Sequence, residues 1–344
     1  MSIGQIYFLS DEQLLVTFVS RVAPQTLPRR NEPEASSNLR LHALFVDTKT
    51  GQLRATREWP TFSDRSRVAP ATEGRSALVT PDRLVLYSPA MQPLKELSLP
   101  IGAEAVQGFW DAVPSPGGKY LLIWYDCRPD GTPRKSELVD AETLQVIRPW
   151  IEGSPWTEGR LVLAPFDDGN VLGIGPHSTV GFGPFDGPWR PFRAPWGDHC
   201  EPGPDTLINN QAIFGSTIVT PDRWCCTLAL TTGELLFRQE LAEKELVKYV
   251  EASAGGQRFA IAVYKGKGGS WALDIGPHYS LDRIMVYDIP SRRWIHTLTG
   301  KKQGIKSISG LAVSPDGSLL GAINQDGILE VYRVPQTPGS PPAQ

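Results

Sequence analysis

The chain has 344 residues, of which 40% are hydrophobic and 21% are charged, and its formal net charge is −3 at pH 7. This length and apolar fraction suit one closed all-β domain with a sizeable core. The basic excess that a nucleic-acid backbone requires is absent, so we expect no nucleic-acid partner. The 33 glycines and 31 prolines are spread between apolar runs, which is typical of many short strands joined by turns.

The N-terminal stretch "MSIGQIYFLSDEQ" has neither the basic start nor the continuous apolar run of a signal peptide, and no later stretch has the length of a membrane span. We therefore expect no membrane span and a cytoplasmic location for the sequence as written, or a periplasmic or secreted location if a leader precedes it. The four cysteines contain no CxxC pair and do not indicate a disulfide scaffold. Cys225 and Cys226 are adjacent, so a strand would bury one thiol and expose the other.

In chain order, the predicted elements repeat as a strand, a polar turn and an apolar strand. The turns are centred on Glu12, Gly74, Gly118, Gly169, Asn210, Gly256 and Gly317. The clearest copy is "LAVSPDGSLLGAINQDGILEVYRV" at 311–334, in which two Asp-Gly turns separate three strands. Most copies continue with a third strand, a polar turn and a fourth strand. The shorter intervals between turns match the period of a four-stranded propeller blade, about 40–45 residues.

The segments "SPDG", "VYDI" and "VDAET" resemble those of the WD40/YVTN-type β-propeller superfamily, and the resemblance covers nearly the whole chain as a repeat pattern. No copy carries both the Gly-His and the Trp-Asp dipeptides of a regular WD40 repeat. The resemblance is therefore to a divergent, bacterial-style propeller, and it transfers no site residue. It implies an all-β fold, a single propeller of four-stranded antiparallel blades. The seven copies of the repeat suggest seven blades, with six or eight as alternatives.

The predicted propeller spans residues 1–334, and a disordered Pro-rich tail is expected at 335–344. The blades are expected at approximately 3–60, 66–100, 108–150, 157–196, 204–241, 247–299 and 306–334. The last blade shows only three strands. Its fourth strand would have to come from the extreme N-terminus, be missing, or lie in chain outside this sequence.

Four segments are longer than a blade requires, and they lie at residues 20–40, 126–136, 194–205 and 265–282. Three of them join a second strand to a third, one joins two blades, and in a propeller both kinds of connection open on the same face. Insertions on one face are typical of a binding surface, although loops also tolerate growth without a function. Three aromatic residues are the candidate ligand-binding residues of these segments: Trp196, Trp271 and Tyr279.

The loops predicted on the same face contain three histidines, two of them in "IGPH", repeated at 174–177 and 275–278, and one in "GDHCEPGPD". Imidazole together with carboxylate suits Zn, Cu or Fe. One interpretation is therefore a divalent-metal site formed by His177, His199, His278, Asp198 and Glu201. The alternative is that each Gly-Pro-His is an ordinary turn with a partly exposed imidazole.

Two functions follow from these patterns. The favoured one is a non-catalytic propeller, expected to be a monomer, that binds a protein, a peptide or a small ligand through the extended loops. It is favoured because no nucleophile elbow, phosphate-binding loop or acid–base pair of catalytic spacing is recognisable. The alternative is a metal-dependent hydrolase or lactonase-like enzyme with its site at the mouth of the central channel. Fold alone does not decide between them.

Overall fold

The structure, a computed structural model, describes residues 2–21, 39–61, 66–80, 82–99, 111–127, 133–151, 161–175, 179–185, 188–191, 207–220, 223–254, 256–267 and 278–336. Within these ranges the chain is almost entirely β-strand, with one α-helix (α1, Gly300–Gln303) and one 3-10 turn (Thr72–Gly74). No helix of these ranges is long and apolar enough to cross a membrane. The all-β prediction is confirmed.

Seven antiparallel sheets follow one another along the chain, and each contains strands that are consecutive in sequence. Sheet 1 contains β1 (Ser2–Ser10), β2 (Gln13–Arg21), β3 (Leu39–Asp47) and β4 (Leu53–Thr61). Sheet 2 contains β5 (Arg67–Pro70), β6 (Ser76–Val79), β7 (Arg83–Tyr87) and β8 (Pro93–Ser98). Sheet 3 contains β9 (Asp111–Pro114), β10 (Tyr120–Cys127), β11 (Pro133–Asp140) and β12 (Val146–Ile151). Sheet 4 contains β13 (Leu161–Pro165), β14 (Asn170–Gly175), β15 (Thr179–Pro184) and β16 (Arg190–Pro191).

The remaining sheets repeat the same order. Sheet 5 contains β17 (Ala212–Thr220), β18 (Arg223–Leu230) and β19 (Leu235–Glu240). Sheet 6 contains β20 (Glu245–Ala252), β21 (Arg258–Lys267), β22 (His278–Asp288) and β23 (Arg293–Thr299). Sheet 7 contains β24 (Ile308–Val313), β25 (Leu319–Asn324) and β26 (Leu329–Arg333). In sheet 5 an isolated bridge from Leu207 to Ile213 occupies the place of the innermost strand.

The sheets form a closed ring, because the first strand or bridge of every sheet lines one common central channel. The core lies between neighbouring sheets, as the alternating side-chain directions of a strand require. In β3, for example, Leu41, Ala43 and Phe45 point towards sheet 2 and join Val68 and Leu78 in one buried cluster. Similar clusters join sheets 2 and 3, 3 and 4, 5 and 6, and 6 and 7. The prediction of a seven-bladed propeller is confirmed.

Sheet 7 and sheet 1 close the ring through side chains and not through a shared strand. β1 pairs with β2 in the innermost position of sheet 1, so the N-terminus does not supply the fourth strand of sheet 7. Instead, Ile6 and Phe8 of β1 pack with Ala312 and Ile323 of sheet 7. At the turn, the backbone N–H of Asp316 donates to Asp11 Oδ1 at 3.1 Å. Among the described residues, sheet 7 therefore has three strands.

The polar turns of the sequence repeat form as their residue types dictate. Between third and fourth strands, the carboxylates of Asp47 and Asp140 accept backbone N–H groups two and three residues later, which closes an Asx turn. In the last hairpins, Gly317 and Gly327 adopt φ values of +71° and +79°, where a side chain is strained. Cys226 is buried, as expected for one thiol of the pair.

Candidate functional site

The strand directions divide the ring into two faces with different connections. The turn face carries the hairpins that join first to second and third to fourth strands, and a hydrogen bond from Thr48 N to Glu12 O links the two kinds of hairpin in sheet 1. The insertion face, at the opposite end, carries the second-to-third and sheet-to-sheet connections. The second strands end on the insertion face at Arg21, Cys127, Gly175, Thr220 and Lys267.

Most of the predicted site residues lie outside the described residues. These are Trp196, Trp271, His177, His199, Asp198 and Glu201. For His278 the structure gives the backbone position, at the start of β22, and nothing of the side chain. Tyr279 is described; it pairs with Gly266 at the insertion-face end of sheet 6, and it is 39% exposed. Within the described part of the chain, no group of three or more His, Cys, Asp or Glu side chains is placed to hold a metal ion.

The central channel is a cavity of about 790 Å³ lined by all seven sheets. Its wall combines apolar side chains with a small number of charged ones, among them Arg67, Arg75, Lys248 and Glu251. Arg75 Nη1 lies 3.6 Å from Glu142 Oε1, so part of this charge is already compensated. A cavity of this size and mixed lining is large enough for a small organic ligand.

Two residues of the channel wall, Lys248 and Tyr249, lie beside the buried Tyr264 of sheet 6. Lys248 Nζ lies 5.7 Å from the ring centre of Tyr249 and 5.2 Å from that of Tyr264, within the range of a cation–π contact. The hydroxyl of Tyr264 accepts from the backbone N–H of Ile308 at 2.9 Å, which fixes this ring between sheets 6 and 7. Burial raises the pKa of Tyr249, so its hydroxyl stays neutral. Lys248 Nζ therefore lies against the rings of both tyrosines.

At the turn face, hydrogen bonds join the inner turns of successive sheets. Asp167 of sheet 4 accepts from Ser115 Oγ and Gly117 N of sheet 3, and it also accepts from Asn210 Nδ2 of sheet 5 at 2.8 Å. Asn209 Nδ2 donates to Gly256 O of sheet 6 at 2.6 Å. These hydrogen bonds join sheets 3 to 6 around the turn-face end of the channel, and we call this ring of linked turns the rim.

A further link in this rim joins sheets 6 and 7. Arg258 Nη1 donates to Gly317 O of sheet 7 at 2.9 Å, while its Nε donates to Asp288 Oδ1 at 3.0 Å. Both side chains of this ion pair are only 4% exposed. Burial alone would raise the pKa of Asp288, but the hydrogen bonds from Ser291 and Arg258 outweigh it and lower the pKa.

A polar cluster, formed by Ser20, His42, Glu58 and Arg40, lies at the insertion-face end of sheet 1. Ser20 Oγ is 2.8 Å from His42 Nε2, and His42 Nδ1 is 3.5 Å from Glu58 Oε2. Arg40 Nε is 3.5 Å from Glu58 Oε1, and the ring of Phe18 stacks on His42 with centroids 4.7 Å apart. Because Glu58 is 51% exposed, this cluster is a solvated surface with donors and acceptors available to a ligand.

The sequence interpretation missed this polar cluster. The four residues are spread over three strands, and only the register, in which Phe18 pairs with His42 and His42 with Glu58, brings them together. The apolar alternation of "LRLHALFVD" indicates that Arg40, His42 and Leu44 share one side of β3. The sequence signal was therefore limited to one strand, and the cross-strand partners required the pairing itself.

No protein-family model matches the chain, and no curated protein matches its sequence. Among solved structures, hydrazine synthase of Kuenenia stuttgartiensis aligns with 97% of this chain and 96% of its own at 12% identity and a TM-score of 0.54. The C-terminal WD40 domain of Sif2 aligns over the same shares at 11% identity and a TM-score of 0.50. The β-propeller domain of Cps50 (Swd1) from Myceliophteria thermophila covers 79% of this chain and 97% of its own, at 12% identity and a TM-score of 0.38. At these identities the first two similarities establish a shared fold and nothing finer.

Proposed function

We propose that this seven-bladed, WD40-type β-propeller is a non-catalytic scaffold that binds a protein or peptide partner through its insertion face. The observation that carries the proposal is topological: the described strands on both sides of the extended segments end on one face of the ring. A closed ring of sheets fixes the separations between the strand ends that flank these segments, and rigid scaffolds present binding loops from such positions.

Two described features of the insertion face support a contact surface for a polypeptide. Tyr279 offers a partly exposed ring with a hydroxyl, and aromatic residues of this kind are enriched in interfaces. The polar cluster of sheet 1 offers the hydroxyl, imidazole, carboxylate and guanidinium groups that pair with backbone and side-chain groups of a partner. We assign Trp196 and Trp271 to the same surface on their sequence positions alone.

The test compares partners recovered from the source cells with the intact chain and with two kinds of variant. In the first kind, residues 24–36 or 269–276 are replaced by Gly-Ser linkers of equal length, or Tyr279 is changed to Ser. In the matched controls, exposed apolar residues of the turn-face hairpins are changed, as Leu94→Ser and Leu235→Ser. We expect at least one specific partner to be lost about tenfold or more from the insertion-face variants, corresponding to about 1.4 kcal/mol of binding.

The controls should recover that partner in the same amount as the intact chain. Circular dichroism and thermal unfolding check that each variant keeps the propeller. Equal recovery by all folded variants, or the absence of any specific partner for the intact chain, would show the proposal to be wrong.

A further inference from the structure

Among the described residues, sheet 7 stops one strand short of its neighbours, which leaves an outer gap between the described parts of sheets 6 and 1. In sheets 3 and 6 the third strand is followed by a hydrogen bond from Ala141 N to Lys119 O and from Ile289 N to Gln257 O. Sheet 7 reaches the same point, because Val334 N donates to Ser318 O at 2.8 Å. In the other two sheets the chain then turns into a fourth strand, β12 or β23.

The printed sequence after Val334 does not suit that strand. It reads "PQTPGSPPAQ" and contains four prolines, which lack the N–H that a sheet ladder requires. The N-terminal strand is also unavailable, since β1 is paired in the centre of sheet 1. The outer edge of β26 is therefore left with unpaired backbone groups among the described residues.

The sheet 6 wall of the gap contains a buried polar atom without a partner. His296 lies on the fourth strand β23 and pairs with Val286, a residue of the cluster that faces sheet 7. Its Nε2 is buried and has no hydrogen-bond partner among the described residues. Burial lowers the pKa of His296, so the neutral imidazole has one donor and one acceptor to satisfy.

The equivalent third strands of sheets 6 and 7 show which side chain fits beside β26. Both strands carry Val-Tyr directly before their last residue, and Tyr287 and Tyr332 each lie two residues before the N–H that begins the turn. In sheet 6, Trp294 of the fourth strand packs on Tyr287 with ring centroids 5.1 Å apart. In sheet 7, Tyr332 packs against the cluster between sheets 6 and 7, and the fourth-strand aromatic that would cover it is missing from the described residues.

The sheet 1 wall of the gap is polar. His42 shares the side of β3 that Leu44 presents to sheet 7, and Glu58 pairs with His42 on β4. The polar cluster of sheet 1 therefore borders the gap opposite His296. A strand placed between these walls would have one side against His296 and Tyr332 and the other against His42 and Glu58.

We propose that an extended segment of a partner protein adds to β26 as the fourth strand of sheet 7, with an aromatic side chain packed on Tyr332. Strand addition uses the backbone groups of an open edge for affinity and alternate side chains for specificity. This surface shares the polar cluster of sheet 1 with the insertion face but uses the backbone edge of β26 and not the extended loops, so the inference goes beyond the function proposed above.

The probe is the synthetic peptide RWIHTLT, which is the sequence of β23. In sheet 6, β23 already pairs with the third strand β22, which carries the same Val-Tyr pair as β26. Fluorescence anisotropy of the labelled peptide should show saturable binding to the full chain. Changing the peptide tryptophan to alanine, or Tyr332→Leu in the protein, should weaken binding about tenfold. The peptide RWPHTPT should not bind, because proline cannot complete the ladder. The control Leu94→Ser, on the turn face of sheet 2, should bind the probe as the unchanged chain does.

Hydrogen exchange locates the contact and decides between occupants. In the free chain, the amides of Leu329–Arg333 should exchange faster than those of His278–Asp288, which β23 covers. The peptide should slow exchange in Leu329–Arg333 and leave β23 unchanged. A variant in which a Gly-Asn-Gly turn and RWIHTLT replace residues 335–344 should unfold at a higher temperature than the parent and no longer bind the peptide.

Three results would overturn the inference. If β26 is as protected as β22 in the free chain, another segment of this chain covers the edge. If protection rises with protein concentration together with dimer formation, the occupant is a second copy. If the peptide protects nothing and the added strand gives no rise in unfolding temperature, the gap does not accept a strand.

Discussion

At the scale of single residues, equivalent positions of the repeat carry different energetic weight. Asp140 and Asp288 end the third strands of sheets 3 and 6, and both accept backbone N–H groups of their own turns. Asp288 also pairs with Arg258 in an almost fully buried setting, and Arg258 in turn contacts Gly317 of the next sheet. Asp140 therefore closes a turn, whereas Asp288 closes a turn and also pairs with the buried guanidinium of Arg258.

This difference predicts unequal effects of the same substitution. Asp288→Asn should lower the free energy of unfolding by about 3 kcal/mol, because it leaves the buried guanidinium of Arg258 without its counter-charge. Asp140→Asn keeps a side-chain acceptor at an exposed turn and should cost less than about 1 kcal/mol. Urea unfolding of the two variants measures both values. Equal losses would contradict a special role of the buried pair.

A second residue-scale prediction concerns pH. The hydrogen bonds from Arg283 to Glu245, at 2.9 and 3.0 Å, hold the pKa of this buried carboxyl below its ordinary value of 4.5. Because the pKa is lower in the folded state, the stability that the pair contributes is fully present above pH 4.5 and is lost as the pH falls through the folded pKa.

The variant Glu245→Gln removes this titration. The difference in unfolding free energy between the parent chain and Glu245→Gln should therefore be largest at neutral pH and should shrink steadily below pH 4.5. Denaturant unfolding from pH 7 to pH 3 gives this curve. A difference that stays constant over this range would show that the pair does not titrate as proposed.

At the scale of elements, two turns with the same backbone conformation require glycine for different reasons. Gly51 and Gly118 have nearly the same left-handed backbone, with φ values of +69° and +70°. A Cβ on Gly51 would meet nothing within 4 Å, whereas a Cβ on Gly118 would lie 3.0 Å from the backbone of Ala71 in sheet 2. The left-handed turn conformation explains both glycines. At Gly118 the close approach of the backbone near Ala71 is a second reason for the absence of a side chain.

The two alanine variants separate these requirements. Gly51→Ala should cost about 1 kcal/mol, the penalty of a left-handed alanine. Gly118→Ala carries the same penalty plus displacement of the sheet 2 backbone, and we expect a total loss of about 3 kcal/mol. Thermal unfolding compares them directly. Similar melting temperatures would mean that the backbone near Ala71 moves away from the added methyl group without a loss of stability.

At the scale of the whole molecule, ring closure depends on residues about 300 positions apart. β1 lines the channel, pairs with β2 and shares a buried cluster with Ala312 and Ile323 of sheet 7. Removing β1 would expose this cluster and open both neighbouring interfaces, and the cost would exceed the few kcal/mol by which domains are stable.

Deletion of residues 1–10 should therefore abolish the cooperative unfolding transition. Deletion of residues 337–344, the matched terminal truncation, should leave the melting temperature unchanged, in keeping with the predicted disorder of the tail. Calorimetry of both variants tests the pair. A cooperative transition in the first, or a large shift in the second, would contradict this view of how the ring closes.

Much of the fold could be predicted from the sequence because each blade is formed by consecutive residues of the chain. Its strands are consecutive, its turns need Asp, Asn or Gly at set places, and a short polar turn marks each copy through residues a few positions apart. The candidate site was less predictable. The polar cluster of sheet 1 depends on pairing across three strands, and all the predicted metal ligands except His278 lie outside the described residues.

The sequence by itself determined the all-β architecture, favoured seven blades over six or eight and showed only three strands in the last one, because alternation and turn chemistry act over short distances along the chain. Only the tertiary structure decided how the ring closes, which aspartate is buried against an arginine, and which residues border the gap beside β26. These features arise where distant sheets meet, and the local pattern of each strand is compatible with many such neighbours until packing selects one.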